Sequence, residues 1–425
     1  MIYFERGSEK DSLSADDLKQ GLFTAIDALG RVKKMLIVPP DITRLHSRAG
    51  ELTRYAFEHD PGAVSGILPA LGTHYPMHEK EIEIMFGDLP KKLFKIHDWR
   101  SGCTRMGEIP ADFISSISNG AVKYPIPVTI DNQLLSGDLD CILSIGQIVP
   151  HEVAGMAGHG KNLFVGLGGQ ENIHKSHFLG AAYGIERIMG RIDSPVRKVI
   201  DYAFEHYLNS LTIIHAMTVI GKDLEGASHV RGLFIGSGKE CYTRAAELSR
   251  KVNIQVLEKP LNKIIAHLDP VEYKSFWLGN KSIYRTRMAI ADHGELIVLA
   301  PGVGVFGEDR EIDALIRKYG YTGTPAVMKN IAENLDLKNN LSAAAHLIHG
   351  STEGRFSVTY CAGGLRRDDV EAVGFKFGQL AGMLKRYDPA VLHEGPNTLS
   401  DGEQIYFISN PGAGLWADKA RFDLT

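Results

Sequence analysis

Short apolar segments that end in proline or glycine and are followed at once by polar residues recur along the first third of the chain. The clearest are residues 34–39, 65–71 and 138–145, and residues 49–58 and 79–85 have helical composition. Strands that alternate with helices favour a parallel sheet, and ligands bind beyond the carboxyl ends of such strands. Asp41, His74 and the segment after Gly146 follow these strands, so we expect them to share one edge of the sheet.

The chain has 425 residues, which is too long for one ordinary core. Residues 294–301 and 356–361 read as strands and residues 311–319 as a helix, which indicates a second α/β unit. We predict an N-terminal α/β domain over residues 1–265 and a smaller C-terminal α/β domain over residues 266–425, with parallel or mixed sheets and flanking helices. A further apolar segment, residues 161–166, is also predicted to be a strand.

The composition excludes several classes of protein. The formal net charge is -4, and no long run of Lys and Arg is present, so nucleic acid is not an expected partner. The N-terminal segment MIYFERGSEKDSL lacks the basic start and apolar run of a signal peptide, and the apolar stretches are too short to cross a bilayer. We therefore expect a cytoplasmic enzyme with no membrane partner; the sequence does not indicate an oligomeric state.

The densest group of chemically useful residues is the segment from Gly146 to Lys161. Its glycines at positions 155, 158 and 160 allow the backbone to approach a ligand closely, and Lys161 follows them as a cationic or nucleophilic amine. It is not a P-loop, because Asn162 stands where that motif needs Ser or Thr. By spacing alone, a glycine-rich turn with a surface lysine accounts for the segment equally well.

Histidines provide the next candidates. His174 and His177 are three residues apart and share a face if the segment is helical, which is a borderline metal signal that does not select among zinc, copper, iron and nickel. His74 follows a strand and has the chemistry of a proton-transfer group. In each case a structural histidine is the alternative that the pattern leaves open.

Three polar segments could bind an anion. Arg44, in the run from Asp41 to Arg44, carries a planar guanidinium suited to a carboxylate or phosphate, although Asp41 and Thr43 could serve only as helix caps. Residues 277–287 contain Lys281, Tyr284 and Arg285 among other cations and aromatic rings, and a solvated basic helix start explains them as well. A third candidate, residues 236–239, could hold a phosphate at a helix N-terminus.

Taken together, these elements resemble the nickel-pincer-nucleotide lactate racemases and their relatives that act on other 2-hydroxy acids. The resemblance spans most of the chain and rests on several motifs in the same order. They are Asp41-x-Thr43-Arg44 after the first strand, Gly72-Thr73-His74 after the second, His151-x-x-Ala154-Gly155 leading to Lys161, and His177.

The resemblance implies a role for each matched residue. Lys161 would tether the cofactor, a pyridinium-3-thioamide-5-thiocarboxylic acid mononucleotide, and His177 would be the protein ligand to its nickel. His74 and His151 would be the two catalytic bases, and Arg44 would anchor an anionic group of the substrate. The same resemblance assigns further residues. Asp41, Thr43, Gly158 and His159 would contact the cofactor, and Lys281, Tyr284 and Arg285 would contact the substrate.

The reaction implied is inversion of the hydroxyl-bearing carbon of a 2-hydroxy acid by hydride transfer to and from the cofactor, which requires proton acceptors on both faces. The resemblance also implies an active site in the cleft between the domains and cofactor maturation enzymes as partners. The alternatives are an NAD- or metal-dependent enzyme on small hydroxy acids and a non-catalytic small-anion binder. A dehydrogenase would show GxGxxG after a strand, and we find none in a convincing setting.

The chain departs from the lactate-type pattern at two places. Residues 157–160 read Ala-Gly-His-Gly where Ser-Gly-Gly is usual, which adds His159, and residues 353–357 lack the tryptophan expected near the lactate pocket. We therefore expect a substrate larger or more polar than lactate, such as a sugar acid or a dicarboxylate.

Overall fold

The computed structural model describes residues 1–223 and 226–424 and divides the chain into two compact units. The first contains Met1–Leu179 and Ile188–Asn253, and the second contains Gly180–Arg187 and Ile254–Thr425. The second unit begins after Asn253, whereas the predicted domain boundary follows residue 265. The sequence did not predict that residues 180–187 would belong to the second unit. The two domain ranges stay a prediction. No helix among the described residues is long and apolar enough to cross a membrane.

The described residues of the first unit form ten strands. They are β1 (Ile2–Gly7), β2 (Met35–Val38), β3 (Val64–Ile67), β4 (Cys103–Ile109), β5 (Ile126–Asp131), β6 (Cys141–Gln147), β7 (Pro150–His151), β8 (Gly155–Met156), β9 (Ile213–Lys222) and β10 (Ser228–Gly236). Its α-helices are α1 (Ala15–Ala28), α2 (Ala49–His59), α3 (Glu79–Phe86), α4 (Ala111–Ile117), α5 (Gly160–Phe164), most of α6 (Gln170–Tyr183), α8 (Pro195–His206) and α9 (Lys239–Asn253). The end of α6 and most of α7 (Ile185–Ile188) belong to the second unit.

The main sheet of the first unit has the order β1-β10-β9-β6-β2-β3. The strands β9, β6, β2 and β3 run parallel, whereas β1 and β10 pair antiparallel at one side. Every residue of β2 and β6 is buried, which is the continuous apolar pattern of parallel strands covered on both faces. The predicted parallel sheet is confirmed, and the carboxyl ends of β2, β3 and β6 lie at one edge.

One predicted strand is wrong. Residues 161–166 lie mostly in the short helix α5, not in a strand. A short apolar run does not distinguish a buried strand from a buried helical turn, and Leu163 and Phe164 bury their side chains in either conformation. Gly166 and Gly168 then allow the chain to pack against the carbonyl groups of Asn162 and Phe164, where a Cβ atom would collide.

The second unit is built on another six-stranded sheet, ordered β15-β14-β13-β12-β17-β16, in which only β16 is antiparallel. Its strands are β11 (Ile254–Leu257), β12 (Leu261–His267), β13 (Ile290–Ala300), β14 (Ser357–Ala362), β15 (Lys376–Phe377), β16 (Gly395–Thr398), β17 (Gln404–Ile408) and β18 (Leu415–Asp418). Its further helices are α10 (Phe276–Gly279), α11 (Lys281–Thr286), α12 (Arg310–Tyr319), α13 (Thr324–Glu333), α14 (Leu335–Asn339), α15 (Leu341–His349), α16 (Arg367–Ala372), α17 (Leu380–Arg386) and α18 (Lys419–Leu424).

A buried ion pair fixes the turn that leads into α6. The Nδ1 atom of His97 lies 2.7 Å from a carboxylate oxygen of Asp131 at the end of β5, and its Nε2 atom lies 3.2 Å from the carbonyl oxygen of Gly168. Both side chains are almost completely buried. Both ring nitrogens of His97 therefore face acceptor oxygens, one from β5 and one from the turn before α6.

We expect His97→Ala to lower the free energy of unfolding by about 3–5 kcal/mol, because it leaves the Asp131 carboxylate buried without its partner. Denaturant titration followed by circular dichroism measures the change. Lys91→Ala is the matched control, since Lys91 pairs with Glu79 and Glu83 at the surface and its removal should change stability little. Equal effects of the two substitutions would contradict a structural role for the His97–Asp131 pair.

Candidate active site

Asp41 and His74 form a hydrogen-bonded pair at the carboxyl ends of β2 and β3. The Nδ1 atom of His74 lies 2.6 Å from one carboxylate oxygen of Asp41, and the hydroxyl of Thr43 donates to the other oxygen over 2.5 Å. Burial raises the pKa of Asp41, but His74, Thr43 and Arg44 lower it by more, so the net pKa lies below its ordinary value. The carboxylate is therefore ionised, and the His74 side chain stays 39% exposed toward solvent.

His151 lies in a small hairpin beyond β6, where β7 pairs with β8. The ring is buried, and its Nδ1 atom accepts hydrogen bonds from the backbone amides of Val153 and Ala154 at 3.1 and 3.4 Å. A carboxylate oxygen of Glu152 lies 3.9 Å from the same nitrogen. The hairpin thus holds the ring through backbone groups, in contrast to the carboxylate that holds His74.

Glycine at position 158 permits the tight path between this hairpin and α5. Its φ is +74°, and a Cβ atom there would come within 2.9 Å of the Gln147 carbonyl oxygen. Glycine is therefore required here by neighbouring protein atoms, and the close approach of this segment to a ligand stays a prediction.

Lys161, in the first turn of α5, lies in a desolvated and electropositive environment. Burial, followed by the charge of Arg44, lowers the pKa of Lys161 to about 8, and Arg197 contributes in the same direction. Glu152 and Asp41 act oppositely but are outweighed. A lysine with such a pKa is neutral, and hence nucleophilic, far more often near neutral pH than an ordinary lysine.

One ring nitrogen of His177, on α6, is already hydrogen-bonded to the backbone. Its Nδ1 atom donates to the Ile173 carbonyl over 2.7 Å, so the Nε2 atom carries the lone pair in the neutral ring. Burial, followed by the charge of Lys161, lowers the pKa of His177 to about 4, which keeps the ring neutral. A neutral imidazole oriented by a backbone carbonyl is the form in which histidine binds metals.

His159 points into a buried cluster of rings. Its ring centre lies 4.0 Å from that of His215 and 5.2 Å from that of Tyr242. Burial, then His215 and Arg197, hold the pKa of His159 well below its ordinary value, so this ring is neutral. The backbone of His159 has a φ of 54°, a conformation that glycine adopts far more readily.

Two residues that sequence reasoning did not single out contribute to this site. Glu152 makes the largest acidic contribution to the pKa of both Lys161 and His177. Arg197 is completely buried on α8, stacks on the ring of Tyr242 and donates to the Met156 carbonyl over 2.8 Å. Its Nε and Nη1 atoms have no partner among the described residues. Nothing in the sequence around residue 197 distinguishes this arginine from a surface residue of an amphipathic helix.

The predicted site residues therefore fall into two sets. Asp41, Thr43, Arg44, His74, His151, Gly158, His159, Lys161 and His177 all belong to the first unit. Lys281, Tyr284 and Arg285 lie on α11 of the second unit.

The residues on α11 have contacts of their own. Arg285 is completely buried and donates to the Gly414 carbonyl over 3.3 Å. Tyr284 is buried near the ring of His349, and the Lys281 ammonium lies 5.9 Å from the ring centre of Tyr273. Their assignment to the substrate stays a prediction. Within the described residues, no group of three or more His, Cys, Asp and Glu side chains forms a metal site.

Comparison with known proteins identifies the same family on independent grounds. Residues 24–186 match the family model for the lactate racemase N-terminal domain. A structural-genomics protein from Thermotoga maritima superposes with a TM-score of 0.81 at 25% identity, covering 96% of this chain and 99% of that one. The lactate racemase apoprotein from Thermoanaerobacterium thermosaccharolyticum superposes with a TM-score of 0.70 at 16% identity, covering 97% and 94%. No curated protein matches the sequence significantly.

These matches cover the segment that carries Asp41, His74, His151, Lys161 and His177, and the fold extends over nearly the whole chain. Residues 24–186 therefore match a lactate racemase N-terminal domain, and the chain as a whole shares the fold of the lactate racemase apoprotein.

Proposed function

We propose that this protein is a racemase or epimerase that inverts C2 of a 2-hydroxy acid with a nickel-pincer nucleotide tethered at Lys161. The match of residues 24–186 to the lactate racemase N-terminal domain supports a racemase-type isomerase. The observation that carries the finer proposal is that Lys161 and His177 are electrostatically coupled and that burial is the main cause of the lowered pKa of each. An amine and an imidazole in that state are the two groups that a tethered, metal-containing cofactor needs from the protein.

The residues present fit this cofactor. Lys161 would form the covalent link, and the Nε2 atom of His177 would bind the nickel, since its Nδ1 atom is already committed. The unpartnered Nε and Nη1 atoms of the buried Arg197, which is charge-coupled to Lys161, suit an anionic group such as a nucleotide phosphate. When bound, the pyridinium ring of the nucleotide supplies a hydride acceptor and donor.

The protein's own groups would handle the protons and the position of the substrate. His74 and His151 would exchange the hydroxyl proton on the two faces of the substrate, because inversion by a single fixed base serves only one hand. Arg44 would hold the carboxylate through its guanidinium fork. The charge of Arg44 also contributes to the lowered pKa of Lys161. Cytoplasmic maturation enzymes that load the cofactor are part of the proposal.

Lys161→Arg should abolish the covalent adduct and the racemase activity, because a guanidinium keeps the charge but is not a nucleophile. Intact-mass analysis of protein co-expressed with cofactor maturation enzymes measures the adduct, which adds several hundred daltons. His177→Ala is the matched variant: it should keep the adduct and lose nickel, measured by elemental analysis. Active, cofactor-loaded protein with an unmodified Lys161 would overturn the proposal.

Hydride transfer predicts the fate of the hydrogen at C2. Substrate deuterated at C2 should turn over more slowly and keep most of its label at that carbon, which NMR of the product in light water detects. His74→Gln and His151→Gln should each lower kcat by about 10²–10⁴, the usual contribution of general acid–base catalysis. Free exchange of the C2 hydrogen with solvent would instead indicate carbanion chemistry.

The substrate should be larger or more polar than lactate. Arg44, Lys281, Tyr284 and Arg285 are the residues assigned to the substrate, and donors of this kind favour an acid that carries oxygen atoms beyond a carboxylate and one hydroxyl. A panel of D- and L-2-hydroxy acids from lactate through malate to aldonates, assayed with loaded protein, tests this. Lactate reacting faster than every larger acid would contradict it, and equal rates would exclude these residues from substrate recognition.

A further inference from the structure

We propose that His74 and His151 are held in opposite tautomers, which makes His74 the resting proton acceptor of the site and His151 its resting hydrogen-bond donor. The same geometry assigns Asp41 as the positioning residue of His74. The catalytic meaning of this asymmetry rests on the proposed function, whereas the tautomers themselves follow from the hydrogen bonds of the protein.

The tautomer of His74 follows from the chemistry of its partner. An ionised carboxylate only accepts hydrogen bonds, so the Nδ1 atom that lies 2.6 Å from the Asp41 carboxylate must carry a proton. The Nε2 atom of the neutral ring then has the lone pair. Asp41 cannot turn readily, because its other oxygen accepts from the hydroxyl of Thr43 at 2.5 Å and from the Thr43 amide at 3.3 Å.

The tautomer of His151 is fixed in the opposite sense. The backbone amides of Val153 and Ala154 only donate, so the Nδ1 atom that accepts from them must carry the lone pair. The neutral ring then has its proton on Nε2. Turning the ring over would place a carbon atom against both amides, and the ring is buried, so their hydrogen bonds would not be replaced readily by water. The carboxylate of Glu152, 3.9 Å from Nδ1, lies beyond hydrogen-bond distance.

The consequence is that the two histidines are not interchangeable at the start of a turnover. His74 can take the hydroxyl proton through Nε2 at once, and the proton on Nδ1 stays with Asp41. His151 already carries a proton on Nε2, so it can take another there only after it changes tautomer. That change breaks the hydrogen bonds that Nδ1 accepts from the two backbone amides. The enantiomer whose hydroxyl faces His74 should therefore complete the first half-reaction, oxidation to the keto acid, faster than its mirror image.

The substitution Asp41→Asn tests these tautomers directly, because Thr43 would orient the new side-chain amide. The Asn oxygen should stay with the Thr43 hydroxyl and amide, which places the NH₂ group against His74 Nδ1. That donor would force the lone pair onto Nδ1 and the proton onto Nε2, so Asp41→Asn should convert His74 into the tautomer of His151. The same Asp-to-Asn exchange in a serine protease triad forces the catalytic histidine into the wrong tautomer and lowers kcat by about 10⁴.

The experiment is ¹⁵N NMR of imidazole nitrogens in the cofactor-free full chain, with signals assigned by His74→Gln and His151→Gln. We expect His74 protonated at Nδ1, His151 protonated at Nε2, and an exchange of the His74 pattern in Asp41→Asn. Asp27→Asn is the matched control, since Asp27 pairs with His59 away from the site, 2.9 Å from its Nε2 atom, and should leave the His74 signals unchanged. The same tautomer in both site histidines would overturn the inference, whatever the reaction.

A second measurement uses loaded protein and the two enantiomers in single turnovers. Asp41→Asn should lower the rate of keto acid formation by about 10²–10⁴, and wild type should oxidise one enantiomer faster than the other. If NMR shows the expected tautomers but Asp41→Asn oxidises both enantiomers at the wild-type rate, His74 is not the base, and the proposed function fails at that residue while the tautomers stand.

Discussion

Parallel pairing of β6, β2 and β3 is the constraint on which the rest of the site depends. Parallel strands end at the same edge, so three loops that are far apart in the sequence leave the sheet side by side. The loop after β2 carries Asp41, the loop after β3 carries His74, and the segment after β6 carries His151 and Lys161. A hydrogen bond across 33 residues, from His74 to Asp41, is possible only because the two strands are neighbours.

Desolvation gives this edge its chemical character. Lys161, His177, His159 and His215 all have pKa values below their ordinary values, and burial is the largest cause each time. The positive charges of Arg44 and Arg197 add to the effect on Lys161. A water-poor, electropositive surrounding keeps amines and imidazoles neutral, and it makes them available to bind a metal or form a covalent bond. The same positive charges favour the binding of an anion at this edge of the sheet.

The sequence predicted the parallel sheet, several of its strands and helices, and the chain order of the site motifs, because apolar periodicity and glycine or proline breaks are local signals. It failed at residues 161–166, where a short buried helical turn and a short buried strand have the same composition. It did not identify Arg197, whose role depends on burial that an amphipathic helix does not reveal. Hydrogen-bond partners, and with them the tautomers of His74 and His151, are products of tertiary contact that no local pattern encodes.

The backbone of His159 has a consequence for how this protein would respond to selection. A residue with a side chain in that left-handed conformation costs on the order of 1–3 kcal/mol, and glycine would remove most of the cost. Its imidazole, however, fills the space against His215 and Tyr242, two residues before Lys161. Backbone strain and side-chain packing therefore act in opposite directions on stability at one position. A heat-resistant variant with glycine here would lose the strain but would leave a cavity against the rings of His215 and Tyr242.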